Sequence, residues 1–137
     1  MTQEDKDLLL TDLCGRLPYG LKLQNINDKD SIVQLRSINL DNYCYEIQFY
    51  TYQGKALTIC NVSKLFRFGK ILRYKPYLFP MSSMTEEQYK TYCELEHSGN
   101  MEHLSLPLLE WLNKNHFDYR GLIEKGLAID ATNLNIY

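Results

Sequence analysis

No apolar run in the chain approaches the roughly 20 residues that a membrane-spanning helix needs. The opening Met1-Thr2-Gln3-Glu4-Asp5-Lys6-Asp7 is acidic, and the three leucines after it are too few for a signal-peptide core. A cytoplasmic protein with no membrane partner is expected. Short-spaced cysteine pairs are also missing: Cys14, Cys44, Cys60 and Cys93 are scattered, and in a reducing compartment they read as thiols packed like small hydrophobes, with no disulfide. The seven glycines are dispersed, and none precedes a Lys-Ser or Lys-Thr pair at the spacing of a phosphate-cradling loop, which argues against nucleotide hydrolysis. Ser82 and Ser83 lack the Gly-x-Ser-x-Gly context of an activated nucleophile. Glu86 and Glu87 are adjacent, so on a helix they point about 100° apart and cannot share a substrate. Internal repeats, low-complexity segments and linkers are absent too, so residues 1–137 read as one domain. With 45% apolar and 23% charged residues, it can bury a core without disulfides or metals.

One further absence carries information about surface charge. Between Glu46 and Glu86 there is no acidic residue, yet Lys55, Lys64, Arg67, Lys70, Arg73 and Lys75 fall there, giving residues 47–85 a charge of +6 against −3 for residues 1–46 and −5 for residues 86–137. Interleaved with Tyr50, Tyr52, Phe66, Phe68 and Tyr74, these cations could attract phosphates and stack bases, as single-strand binders do. Alternatively, the basic strands and loop face the acidic C-terminal helices within the same domain. The second reading is preferred, because a sequence pI of about 5.9 lies well below the value above 9 expected of a dedicated nucleic-acid domain. Lys64, Arg67, Lys70, Arg73, Lys75, Tyr50 and Tyr52 remain the candidate surface for a nucleic acid or a protein partner.

The periodicity changes twice. Thr2 and Asp5 resemble a capping box, and Leu9, Leu10, Leu13 and Leu17 follow at helical spacing. A helix is expected from about residue 3 to Cys14, stopped by Gly15 and Pro18, within an N-terminal helical segment 1–16. From residue 20 to 75 the period falls to two. Strands are expected at 21–26, 32–40, 43–52, 55–62 and 71–75, as an antiparallel meander with turns at Asp41-Asn42 and Gln53-Gly54. The apolar phase slips between Leu35 and Ile38, which predicts a bulge near Arg36. Residues 85–126 read as helical. Thr85 and Gln88 form a second capping box, with Met84 and Tyr89 as a hydrophobic staple. Leu104, Leu108, Trp111 and Leu112 stripe a helix over 105–115 that tolerates Pro107 in its first turn. Asp118 caps a third short helix ending at Gly126, where Leu127 packs back on Leu122 in a Schellman motif. This order gives an α+β class: an N-terminal helix, an antiparallel meander of four to five strands, then two or three helices.

Chemistry-bearing groups are few. Cys93 and His97 lie four apart and His103 follows, but no second short-spaced pair completes a zinc set. His116, after the apolar stripe and before a cap, reads as a partly buried ring with a backbone hydrogen bond. No metal, cofactor or catalytic residue is expected.

Three stretches carry a family resemblance: Leu17-Pro18-Tyr19-Gly20-Leu21-Lys22, the run from Lys75-Pro76-Tyr77-Leu78-Phe79-Pro80-Met81-Ser82-Ser83-Met84-Thr85 to Glu87, and Trp111-Leu112-Asn113 with Phe117-Asp118-Tyr119-Arg120-Gly121-Leu122 to Leu127. They resemble a family of small uncharacterised proteins of gut Bacteroidetes, frequently phage-like or mobile-element-associated. The resemblance implies a compact accessory protein and carries over no functional residue. The expected function is a non-enzymatic module that binds a protein, itself or another. Nucleic-acid binding through residues 47–85 is the alternative, and a small enzyme with a site assembled from distant residues is the third.

Overall fold

The computed structural model describes residues 1–41, 44–53, 56–67, 71–97 and 105–137. Helix α1 (Gln3–Arg16) begins at the expected capping box: the Thr2 hydroxyl accepts from Asp5 N–H, and the Asp5 carboxylate accepts from Thr2 N–H. Gly15 does not stop it. The helix runs one turn past Asp12 so that Arg16 can pair with that carboxylate, and the left-handed stop falls to Gly20 (φ +67) after a 3-10 turn at Leu17–Tyr19. Leu9, Leu10 and Leu13 bury the inner stripe. Cys14 lies off that stripe and is exposed, contrary to the expectation of a packed thiol, while Cys93 is partly covered.

Strands β1 (Lys22–Asn25), β2 (Asp28–Asp41), β3 (Cys44–Gln53) and β4 (Ala56–Lys64) form the expected antiparallel meander. The β2/β3 register slips between Leu35 and Ser37, leaving Arg36 as the bulged residue that the phase change predicts. The two expected turns involve residues 42–43 and 54–55, outside the described residues. Alternation sends Leu23, Val33, Leu35, Ile47 and Phe49 inward against α1. Each buried side chain of this kind contributes about 1.5–3 kcal/mol of burial free energy.

Two short strands, β5 (Phe66–Arg67) and β6 (Ile71–Leu72), pair with each other. The strand expected at 71–75 is divided at Arg73 between β6 and β7 (Tyr74–Pro80), and β7 continues through Pro76 to Pro80. It pairs antiparallel with β1 and parallel with β8 (Phe117–Asp118) and β9 (Ile129–Asp130), so the sheet is mixed and not a pure meander. The hydrogen-bond alternation explains the prolines. Ile26 N–H donates to Arg73 O and Phe79 N–H to His116 O, six residues apart and therefore along one edge of β7; Leu78 O, which accepts from Ala131 N–H, leaves by the other edge. The Pro76 nitrogen faces that second edge one residue before β9 pairing begins at Tyr77, so no ladder bond is lost.

The gap between β1 and β8 on the first edge is filled by a side chain. Lys22 N–H donates to the Tyr137 hydroxyl at 3.0 Å, and that hydroxyl donates to Tyr77 O at 2.9 Å. A tyrosine hydroxyl thus bridges the position where a direct ladder bond would otherwise form.

Helix α2 (Glu86–His97) starts at Thr85 with the expected reciprocal Thr85/Gln88 capping box. The expected staple is not prominent: Met84 packs into a cluster with Leu108, Leu112 and Phe117, while Tyr89 is 61% exposed and stacks near Tyr92. Helix α3 (Leu106–Lys114) is capped by Ser105 and holds Pro107 in its first turn. The expected third helix over 118–126 is corrected to a single turn. Gly121 at φ +74 breaks helical continuity after Asp118, whose carboxylate reaches across it to accept from Leu122 and Ile123 N–H at 2.8 and 2.9 Å. The close is the expected Schellman pair, Leu127 N–H to Leu122 O and Gly126 N–H to Ile123 O, with Gly126 at φ +72. No helix of the described residues is long and apolar enough to cross a membrane.

Candidate functional site

The outward face of the sheet receives part of the basic aromatic set. Tyr50 lies out of phase with buried Ile47 and Phe49 and opposite Gln34. Lys64 pairs with Glu46, and Lys75 with Gln24; both partners alternate with buried neighbours, so Lys64, Lys75 and Tyr50 share one face. Lys22, opposite Gln34, joins them. The bulge brings Arg36 there as well, its guanidinium carbon 5.7 Å from the Tyr50 ring centre. Arg73 sits at the β6/β7 junction, its N–H on Leu65 O and its O accepting from Ile26. For Arg67 and Tyr52 only the backbone is described, and Lys70, like Lys55, lies outside the described residues. Lys64 and Lys75 are separated by four strand spacings, roughly 19 Å, and Glu46, Asp28 and Asp30 stand among the cations. The face is therefore mixed, and the cations described on it, Lys22, Arg36, Lys64 and Lys75, lie on four different strands.

A second site lies where the end of β7, α3 and the tail 131–137 meet. A cavity of about 430 Å³ is lined by Phe79, Gln88, Asn115, His116, Phe117 and Tyr137, among others. His116 adopts a left-handed conformation (φ +61) that turns its ring onto Tyr137, with centroids 3.8 Å apart and planes 10° apart. The ring is only 8% exposed. Burial, with Arg16 and Lys22 nearby, lowers its pKa to about 4, so it is neutral at pH 7. Its Nδ1 is buried without a hydrogen-bond partner. The expected burial of His116 is present, but the expected ring-to-backbone bond is not seen at Nδ1; the bond the residue makes is main chain to main chain, Phe79 N–H to His116 O at 2.8 Å. The sequence reading missed the cavity, because Tyr137 sits in a tail with no periodic signal.

Behind His116, a buried network fixes the chain. Arg16 grips Asp12 through two bonds of 2.8 and 2.9 Å, and its Nη2 also donates to Phe117 O at 2.6 Å. Arg120 Nε lies 3.4 Å from Asp12 without hydrogen-bond alignment. Both guanidiniums stand over the Tyr119 ring, at 5.3 and 5.0 Å, and the Tyr119 hydroxyl donates to Asn113. Burial raises the Asp12 carboxyl above its usual range, against the lowering by the two arginines. Every residue from Phe117 to Gly121 thus has a folding role. Among the described residues no three His, Cys, Asp or Glu side chains are grouped as a metal site requires; His103 lies outside them. Comparison of the chain with family models, with curated proteins and with solved structures returned no match.

Proposed function

We propose that the chain is a non-enzymatic interaction module that presents the outward face of its sheet to a protein partner, and that it serves a bacterial or phage genome as an accessory protein, as the motif resemblance implies. One observation carries this reading: α1 packs on the inner face, and none of the described outward residues of β1 to β4 is buried. That face offers Gln24, Gln34, Ser37, Gln48 and Tyr50 with Ile32 and Val62, the last 55% exposed, a mixture of tyrosine, amide and aliphatic groups suited to protein recognition. Ser37 and Gln48 are already bonded to each other at 3.0 Å across β2 and β3, so little side-chain freedom remains to be lost there on binding. Affinity enrichment with the wild-type chain and with Gln34→Arg and Tyr50→Ala, each checked for an unchanged thermal melt, tests it. A partner recovered by the wild type and lost by both variants is the expected result. Equal recovery by all three refutes use of this face.

A second reading, single-stranded nucleic acid on the same face, is favoured by the Arg36–Tyr50 contact, which sets a cation and an aromatic platform together. It requires fluorescence anisotropy with a single strand to show affinity that falls steeply with salt and weakens in Lys64→Ala and Lys75→Ala. Binding that is absent, or indifferent to salt, removes it.

A further inference from the structure

Two of the amides that line the cavity beside His116, those of Gln88 and Asn115, each have one end engaged by a neighbour, which fixes what the other end can do. Gln88 Oε1 accepts from Thr85 N–H at 2.9 Å, which leaves the Gln88 amide NH₂ to donate. Asn115 Nδ2 donates to Trp111 O at 2.9 Å, which leaves Asn115 Oδ1 to accept. For His116, a buried N–H without a partner costs more than an unpaired lone pair in the same place. Nδ1 is the buried, unpartnered nitrogen, so the proton of the neutral ring belongs on Nε2, which becomes a donor. The wall is aromatic: Phe79 lies 5.9 Å from the 42% exposed Tyr137 ring and 6.4 Å from Phe117.

We propose that this cavity binds a planar ring presenting an acceptor–donor–acceptor edge, the pattern of a pyrimidine-2,4-dione such as the uracil base. The donors of Gln88 and His116 would take its two carbonyls, the Asn115 carbonyl its N3–H, and the aromatic wall its face; flat bases are held in this way by stacking together with edge hydrogen bonds. The volume of about 430 Å³ falls in the range of small-ligand pockets. This site shares no lining residue with the proposed protein-binding surface of Gln24, Ile32, Gln34, Ser37, Gln48, Tyr50 and Val62 and would stand if that face bound nothing. The base could come as a free nucleoside or within a strand.

The test is a nuclear magnetic resonance titration of the full chain with uridine, 3-methyluridine, cytidine and a short oligouridylate. Uridine or oligouridylate should produce saturable shifts in the side-chain amides of Gln88 and Asn115 and in the His116 ring. Saturation by both points to a nucleoside site, and saturation by the oligomer alone to a base within a strand. Methylation at N3 removes the donor that Asn115 accepts, so 3-methyluridine should bind at least about tenfold more weakly, near 1.4 kcal/mol. Cytidine, with a different edge, should lose comparably. Because the change is made in the ligand, the outcome does not depend on a variant folding. No saturable shift with either uridine form, or equal binding of 3-methyluridine, overturns the proposal.

Discussion

Acidification should destabilise this protein through His116, and the effect can be isolated. In the unfolded chain the ring titrates near 6.5; in the fold, burial and the nearby Arg16 and Lys22 lower its pKa to about 4. Between those values the unfolded state binds the proton and the folded state does not. The stability tied to the neutral ring is therefore fully present above pH 6.5, declines as the pH falls, and levels off near pH 4, where the folded ring also protonates. At about 1.4 kcal/mol per tenfold change in proton affinity, the full window amounts to roughly 3 kcal/mol, most of it lost by pH 4.5. Asp5, whose carboxyl is held low by bonds to Thr2, also loses stabilisation at low pH, whereas Asp12, raised by burial, works in the opposite sense. A His116→Asn variant keeps both aspartates and tolerates the left-handed backbone. Urea unfolding at pH 7.5 and 4.5 should show the wild type losing about 2–3 kcal/mol more than this variant. Equal losses would refute the assignment, as would an imidazole resonance with a titration midpoint near 6.5.

The remaining predictions address the supports of that site. Arg16→Met leaves the buried Asp12 carboxylate with only Arg120, 3.4 Å away and not aligned for a hydrogen bond, and should cost about 3–5 kcal/mol in chemical denaturation, largely restored by adding Asp12→Leu. Gly126→Ala forces a side chain into φ +72 and should cost about 1–2 kcal/mol; an unchanged midpoint would contradict the Schellman close. Tyr137→Phe removes both bonds of the bridging hydroxyl while keeping the ring against His116. It should lower stability by about 1–2 kcal/mol and speed amide exchange at Lys22, and protection of Lys22 at the wild-type level would show that the bridge is not formed.

Legibility in the sequence followed the range of the interactions. Thr2 with Asp5 and Thr85 with Gln88 were readable because a capping box is closed by residues three apart. The bulge at Arg36 was readable because alternation slips by one residue where it occurs. The helix expected over 118–126 failed at Gly121, whose positive φ cannot be told from an ordinary glycine until the Asp118 carboxylate is seen reaching over it. Strands β8 and β9, two residues each, are too short for any period, and Pro76 concealed β7 by the usual rule against proline in a ladder. Of the candidate surface, Lys64, Lys75 and Tyr50 share a face because strand parity places them there. Their opposition to Glu46 and Gln24 required the register.

Local chemistry alone therefore settled the α+β class, the caps, the meander and the glycine stop at residue 126, since each depends on neighbours within a few positions. Tertiary structure decided the mixed sheet, the Arg16–Asp12 lock on Phe117 O and the His116 cavity. These join residues about a hundred positions apart in the sequence: Arg16 with Phe117, and Lys22 with Tyr137. Such pairs leave no periodic trace, because only the closed fold sets the distance between their partners.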